Sequence, residues 1–216
     1  MRNSQVPPPF DVDAAVAHLS RKDRTLGRLI REVGPCRLAI APRQSPYQAL
    51  LESIVYQQLT GKAAATIYGR VCASFGSSRC PGAEKVADAS EELLRAAGLS
   101  RSKAAAVKDL AARALAGEIP TRRAAEKLSD AALVECLTSV RGIGTWTVEM
   151  FLIFTLGRPD VLPLDDYGVR KGFARTYGRD VLPKPKELAA LGEKWRPFRT
   201  TASWYLWRAL ELEARA

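Results

Sequence analysis

Two stretches of this 216-residue chain hold residue types whose spacing invites chemistry. In Leu162-Pro163-Leu164-Asp165-Asp166-Tyr167, adjacent carboxylates follow a proline-rich turn. A carboxylate at such a place either caps the helix that follows or supplies a fixed negative charge to a reaction, and the residues alone leave both open. The other stretch runs from Leu137 to Val148, where one helix ends, Gly142-Ile143-Gly144 turns the chain, and an apolar helix begins at Thr145. Glycines on either side of Ile143 permit a sharp turn while the aliphatic side chain anchors it in a core. The amides of Gly144, Thr145 and Trp146 then project from a helix N-terminus, where a phosphate oxygen is a natural acceptor. Glycines between helices also serve as plain caps.

Charge supports the phosphate alternative without proving it. Lys and Arg number 33 against 23 Asp and Glu, a formal +10 that favours polyanions through counterion release; a solvated basic surface is the other meaning of that excess. Cys36, Cys72, Cys80 and Cys136 form no CxxC pair, which argues against a zinc site or an iron–sulfur cluster. Reduced thiols in a cytoplasmic protein are expected. The first ten residues are polar and proline-rich, and the longest apolar run, Met150 to Leu156, is too short to cross a bilayer. No membrane partner is expected.

The elements that must position these residues read as helices nearly throughout. Residues 12–33 carry Val16, Leu19, Leu26, Leu29 and Ile30 at helical spacing and stop at Gly34-Pro35. Ser45-Pro46-Tyr47-Gln48 is a capping box with proline at the first helical position, opening an apolar-periodic stretch to Leu59; another runs from Lys62 to Phe75. Ser90, Ser100 and Ser129 each open a helix, and the helix from Thr145 is expected to reach Leu156 and stop at Gly157. Val161 to Leu164 alone has a strand-like look, which Pro163 argues against. The fold class is all-α.

Taken together, LxxVRGIGTWTVEMFLIF and LPLDDYGVR, in this order and spacing, closely resemble the hairpin–glycine–Asp block of the helix-hairpin-helix DNA glycosylases, in their 3-methyladenine DNA glycosylase II branch. The resemblance extends to Ser53 through Ala64, similar to the family's helix–loop segment that pushes a wedge into the duplex. It also reaches Lys194 through Trp207, similar to its terminal helix. It covers about residues 12–212 and implies two helical lobes with an interlobe cleft, without the N-terminal β-rich domain of some members. One lobe would be 46–159, carrying the hairpin at about 130–156; the other would be 12–45 plus 160–216, with residues 1–11 a flexible N-terminus.

The resemblance implies the roles. Asp166 is the catalytic carboxylate and Asp165 the second choice, more suited to capping the helix near Tyr167. The flipped base would sit among Trp146, Tyr167, Trp207 and Met150; the branch often has a tyrosine where this chain has Met150. Leu59 is the candidate wedge, with ordinary helix core as its alternative, and Gln58 lies beside it. Gly142, Gly144, Thr145 and Thr147 would hold the DNA backbone. Backbone carbonyls of Thr138, Val140 and Ile143 would bind a structural Na+ or K+; no cofactor is otherwise required. Bifunctional members place a lysine where this chain has Trp146, so no Schiff base and no strand cleavage are expected. Trp195, Trp204 and the single histidine, His18, are expected to be structural.

The function so implied is hydrolytic excision of alkylated purines, of the 3-methyladenine and 7-methylguanine type, from double-stranded DNA by a monomer, nucleoid-associated in a bacterium. Two alternatives stay open: a glycosylase for other damaged purines such as hypoxanthine or ethenoadenine, and a non-catalytic helix-hairpin-helix DNA-binding protein.

Overall fold

The structure is a computed structural model that describes residues 6–41 and 44–213. Two compact units account for the chain, Met1–Pro42 with Leu152–Ala216 and Arg43–Phe151. In chain order the α-helices are α1 (Val12–Lys22), α2 (Arg24–Val33), α3 (Pro46–Tyr56), α4 (Gly61–Ser74), α5 (Ala83–Asp88), α6 (Glu91–Ala96) and α7 (Arg101–Leu115). There follow α8 (Arg122–Lys127), α9 (Asp130–Thr138), α10 (Thr145–Phe151), α11 (Tyr167–Thr176), α12 (Pro185–Gly192) and α13 (Arg199–Glu213). Among the described residues the β-type pairing is a single bridge, Val6 with Ile40. The fold is all-α.

In the unit formed from both ends of the chain, α13 packs on α1, α2 and α11. The expected continuous segment 12–33 is broken. Asp23, extended at φ −142° and ψ 102°, ends α1 and caps α2, its Oδ1 accepting from the Thr25 and Leu26 amides at 3.0 and 3.1 Å. The apolar spacing continues through the break, so periodicity could not reveal it. Asp23 is 4% exposed, and its Oδ2 accepts from Trp195 Nε1 and Lys194 Nζ, each at 2.9 Å, and from the Tyr177 hydroxyl. Burial alone would raise its pKa, but these donors together hold it below the ordinary carboxylate value. A buried charge with this many donors knots α1, α2, α11 and the 3₁₀ turn Glu193–Trp195 together. Trp195 and Trp204 are core, as expected; the His18 ring meets Phe198 edge-on at 5.4 Å.

The stretch expected to be flexible lies partly outside the described residues. From Val6 onward it is ordered against the unit: Val6 and Ile40 exchange backbone hydrogen bonds of 3.0 and 2.8 Å, and Pro8 is buried. Asp11 caps α1 through the Ala14 amide.

The other unit is organised by α7, which packs on α3, α5 and α6 and buries Ala104, Val107, Leu110 and Ala111. Burying two such aliphatic side chains, Val107 and Leu110, contributes on the order of 3–6 kcal/mol. Serine caps open the helices where the sequence marks them: Ser45, with the full capping box, Ser90, Ser100 and Ser129. Helix α10 ends at Phe151, and the chain continues as a π-helical turn, Leu152–Leu156, rather than as the regular helix expected to Leu156. Gly157, at φ +69°, stops it; a Cβ there would lie 2.4 Å from Pro9 Cδ. No helix among the described residues is long and apolar enough to cross a membrane.

Candidate active site

The carboxylate pair begins with a loop that has little freedom. Buried Thr200, near the start of α13, donates from Oγ1 to the Arg158 carbonyl at 2.6 Å and accepts the Val161 amide at 3.0 Å. Asp160 receives Arg199 in a two-pronged contact, Nε to Oδ1 at 2.7 Å and Nη2 to Oδ2 at 3.0 Å. The turn at Pro163 then leads to Asp165, which is exposed, and Asp166, which is half-buried.

Asp166, not Asp165, caps α11: its Oδ1 accepts the Val169 amide at 2.7 Å. The expectation that Asp165 would cap is corrected by the backbone. Asp166 has the extended conformation of a cap (φ −69°, ψ 119°) and stands three residues before the amide it receives. The same Oδ1 accepts Trp207 Nε1 at 2.8 Å. Two donors on one oxygen fix the plane of the carboxylate.

That bond depends on how closely α11 and α13 approach. Gly168 and Gly172 are one helical turn apart on the face of α11 that meets α13. A Cβ at Gly172 would lie 1.9 Å from the Leu206 carbonyl oxygen, and one at Gly168 would lie 2.9 Å from Trp207 Cδ1. No side chain fits at either position, so α13 comes close enough for its indole to reach the cap. The Trp207 ring stacks on Phe154, centroids 5.8 Å apart at 26°. Phe154 lies within the π-helical turn and is 37% exposed. Tyr167 is 63% exposed, with Lys171 Nζ 5.8 Å above its ring. This unit therefore gathers a tethered carboxylate and three aromatic rings.

The second cluster belongs to the other unit. Gly142 turns the hairpin at φ +77°. The Ile143 amide donates to Val140 at 3.1 Å, and the Ile143 side chain is 5% exposed, the anchor its position predicts. The Gly144 carbonyl starts α10 by accepting from Thr147 and Val148. Gly144, Thr145 and Trp146 are exposed, whereas Thr147 is buried. From behind, Asp109 Oδ2 accepts the Arg141 amide at 2.8 Å and Arg113 Nε at 3.1 Å.

An open pocket of about 680 Å³ adjoins this hairpin. Gln58, Leu59, Gly142, Gly144, Trp146, Thr147 and Met150 line it; the pocket thus collects most of the residues singled out on this unit. Leu59 is not helix core. Helix α3 stops at Tyr56, Gln58 takes a left-handed conformation at φ +56°, and Leu59 is 39% exposed in the turn before α4. A left-handed non-glycine residue needs support from its surroundings.

Two residues that sequence reasoning missed supply that support. Lys103 Nζ donates to the Val55 and Gln57 carbonyls at 2.7 and 2.6 Å, and partial burial lowers its pKa from the ordinary lysine value. Gln57 Nε2 donates to the Gly142 carbonyl at 2.9 Å, tying the wedge-like turn to the hairpin across a sequence separation no local pattern reveals. Phe154 was the third omission: inside the run Met150 to Leu156 it reads as one more apolar residue.

Comparison with known proteins gives the family of the chain. DNA-3-methyladenine glycosylase 1 of Schizosaccharomyces pombe is 38% identical over 199 residues, 92% of this chain and 87% of that protein. The solved structure of the S. pombe 3-methyladenine DNA glycosylase Mag1 in complex with abasic DNA superposes with a TM-score of 0.81, covering 90% of this chain and 95% of that one at 38% identity. The DNA-3-methyladenine glycosidase of Bacillus halodurans gives a TM-score of 0.84 at 35% identity, over 95% and 94% of the two chains. With the family model for HhH-GPD superfamily base excision DNA repair proteins matching residues 51–197, this chain belongs to that family.

Proposed function

We propose that the protein is a monofunctional DNA glycosylase that flips alkylated purines out of duplex DNA and removes them by hydrolysis, with Asp166 as the catalytic carboxylate. The observation that carries the reading is the double tether on Asp166 Oδ1, from the Val169 amide and the Trp207 indole. A cap needs only the first of these donors. The second fixes the orientation of a negative charge beside aromatic rings, which suits a cationic reaction centre.

In this mechanism a nucleotide leaves the stack at a cost of a few kcal/mol. Leu59 takes its place in the duplex, and Gln58 beside it probes the partner strand. Gly142, Gly144 and Thr145 hold the strand by its phosphates without reading sequence; Thr147, buried and with its amide on the Gly144 carbonyl, lends no phosphate contact. Trp146, Met150, Tyr167 and Trp207 are the base-contacting residues; N-alkylated purines are cationic, and aromatic faces attract cations by about 0.5–2 kcal/mol. The bond from sugar C1′ to the base nitrogen breaks with its electron pair going to the base, and alkylation makes that base a ready leaving group. The Asp166 carboxylate stabilises the resulting oxocarbenium-like sugar, orients the water that adds to C1′ and accepts the proton that water loses, leaving a C1′ hydroxyl. Trp146 offers no amine to the sugar, so the product is an intact abasic strand.

A structural Na+ or K+ fits the hairpin. The Val140 carbonyl uses one lone pair on the Ile143 amide and keeps a second; with the Thr138 and Ile143 carbonyls it would hold a monovalent ion and stiffen the turn. The four cysteines are free thiols, which supports a reducing, cytoplasmic setting, and the enzyme is read as acting as a monomer.

The test is release of methylated purines from methylated duplex DNA, with cutting at abasic sites followed in parallel. Wild type should release bases and cut no strand. Asp166→Asn, which keeps a cap oxygen, should bind abasic DNA yet lose release. A wild type that frees no alkylated base from any such DNA ends this reading and leaves a binding module.

A further inference from the structure

We propose that the outer face of α2 is a second phosphate-binding surface, made for the backbone of duplex DNA by residues outside the hairpin. Arg24, Arg28 and Arg31 recur at i, i+4 and i+7 and are all exposed. At about 100° per residue they form a stripe roughly 60° wide, opposite the buried Leu26, Leu29 and Ile30. With Ser20 they line a depression of about 320 Å³. Arg28 also borders a neighbouring one of about 310 Å³, shared with Thr25, Glu32, Arg175 and Thr176.

What marks this stripe is that, among the described residues, no carboxylate pairs with it. Several other guanidinium groups do meet carboxylates: Arg113 with Asp109 and Glu118, Arg122 with Glu126, Arg179 with Glu187, and Arg199 with Asp160. Among the described residues, Arg24, Arg28 and Arg31 make no ion pair, and Glu32, one turn beyond Arg28, does not close one. Arg28 Nη2 touches only the Thr25 hydroxyl, at 3.5 Å. Like charges a turn apart repel, and the buried leucine face secures the helix without them. The stripe is therefore an arrangement that stability alone does not favour and an external anion would.

Its dimensions suit a strand of duplex. Arg24 to Arg31 spans about 10 Å of helix axis; one strand carries a phosphate for every 3.4 Å or so of duplex axis, and because the strand winds around that axis its neighbouring phosphates stand roughly twice as far apart, so the stripe reaches about two phosphates, each able to take a two-pronged contact. An acidic protein segment would offer the same charge. Duplex DNA is favoured because the chain belongs to a DNA-repair family and its excess of +10 favours polyanions. The inference rests on the reading that the protein works on DNA, and the surface would supply sequence-blind, salt-sensitive affinity for undamaged duplex.

The test compares the full chain with the triple variant Arg24→Gln, Arg28→Gln, Arg31→Gln and with a charge-matched control, Arg79→Gln, Lys85→Gln, Lys127→Gln. Affinity for a long undamaged duplex is measured by fluorescence anisotropy against salt concentration, with thermal unfolding as a check on fold. The α2 variant should lower the slope of log K against log salt by about 2, and the control by clearly less. Base release from a short methylated duplex should stay at the wild-type rate. An unchanged slope, an equal drop in the control, or binding of polyglutamate by the wild type but not by the α2 variant, with duplex affinity the same in both, would each overturn the proposal. A wild type that binds duplex through α2 but releases no base would instead refute the glycosylase reading and leave this surface standing.

Discussion

Replacing Trp207 with Phe keeps a ring on α13 but removes the N–H that reaches Asp166 Oδ1 at 2.8 Å. A hydrogen bond to an ionised carboxylate contributes about 1.5–3 kcal/mol; both partners here are only half-buried, so water recovers part of it and the lower end applies. The Val169 amide still holds Oδ1 at 2.7 Å, so α11 keeps its cap. A phenyl ring can also remain against Phe154. The loss falls on the orientation of the carboxylate. About 1.4 kcal/mol of transition-state stabilisation is tenfold in rate, so single-turnover base release should slow by about tenfold. Binding to abasic duplex, measured on the same preparation, should change little. A folded variant with the wild-type release rate would refute the claim that the indole orients the acid. Equal losses in release and binding would show that the ring serves only as a wall.

Two further outcomes follow from the same geometry. Lys103→Met removes both donors from the end of α3; it should cost about 1–3 kcal/mol and raise amide exchange over residues 55–60 with helix content kept, and unchanged exchange there would mean the turn holds itself. Asp23 has a pKa below its ordinary value, so its contribution is fully present above the unfolded carboxylate pKa of about 3.9 and disappears as pH falls through the lower folded value. Asp23→Asn should accordingly lose about 3–5 kcal/mol near neutrality, with the gap to wild type closing in urea titrations below pH 4 or so; a constant gap across pH would contradict the assigned network.

Much of the fold was legible because its signals are local. Ser45, Ser90, Ser100 and Ser129 each sit three residues before the amide they cap, and that spacing is visible in the chain itself. Helices α5 and α8, six residues each, are too short to show periodicity. The break at Asp23 was hidden because the leucines on either side keep their phase across it. Asp165 and Asp166 are chemically identical neighbours, so only the backbone dihedrals decide which one caps. Gln58 in a left-handed turn, Lys103 beneath it and Gln57 on Gly142 depend on contacts between distant segments. Composition carries no trace of them.

The π-helical turn at Leu152–Leu156 has one more consequence. Such a turn accommodates one extra residue in a helix, and each residue advances the phase by about 100°. Deleting a single residue there would leave an ordinary apolar helix, unremarkable by hydropathy, with Phe154 swung roughly a quarter-turn off Trp207. In this family length can thus matter where residue type does not: a one-codon deletion in this stretch would read as harmless yet dismantle one wall beside the acid.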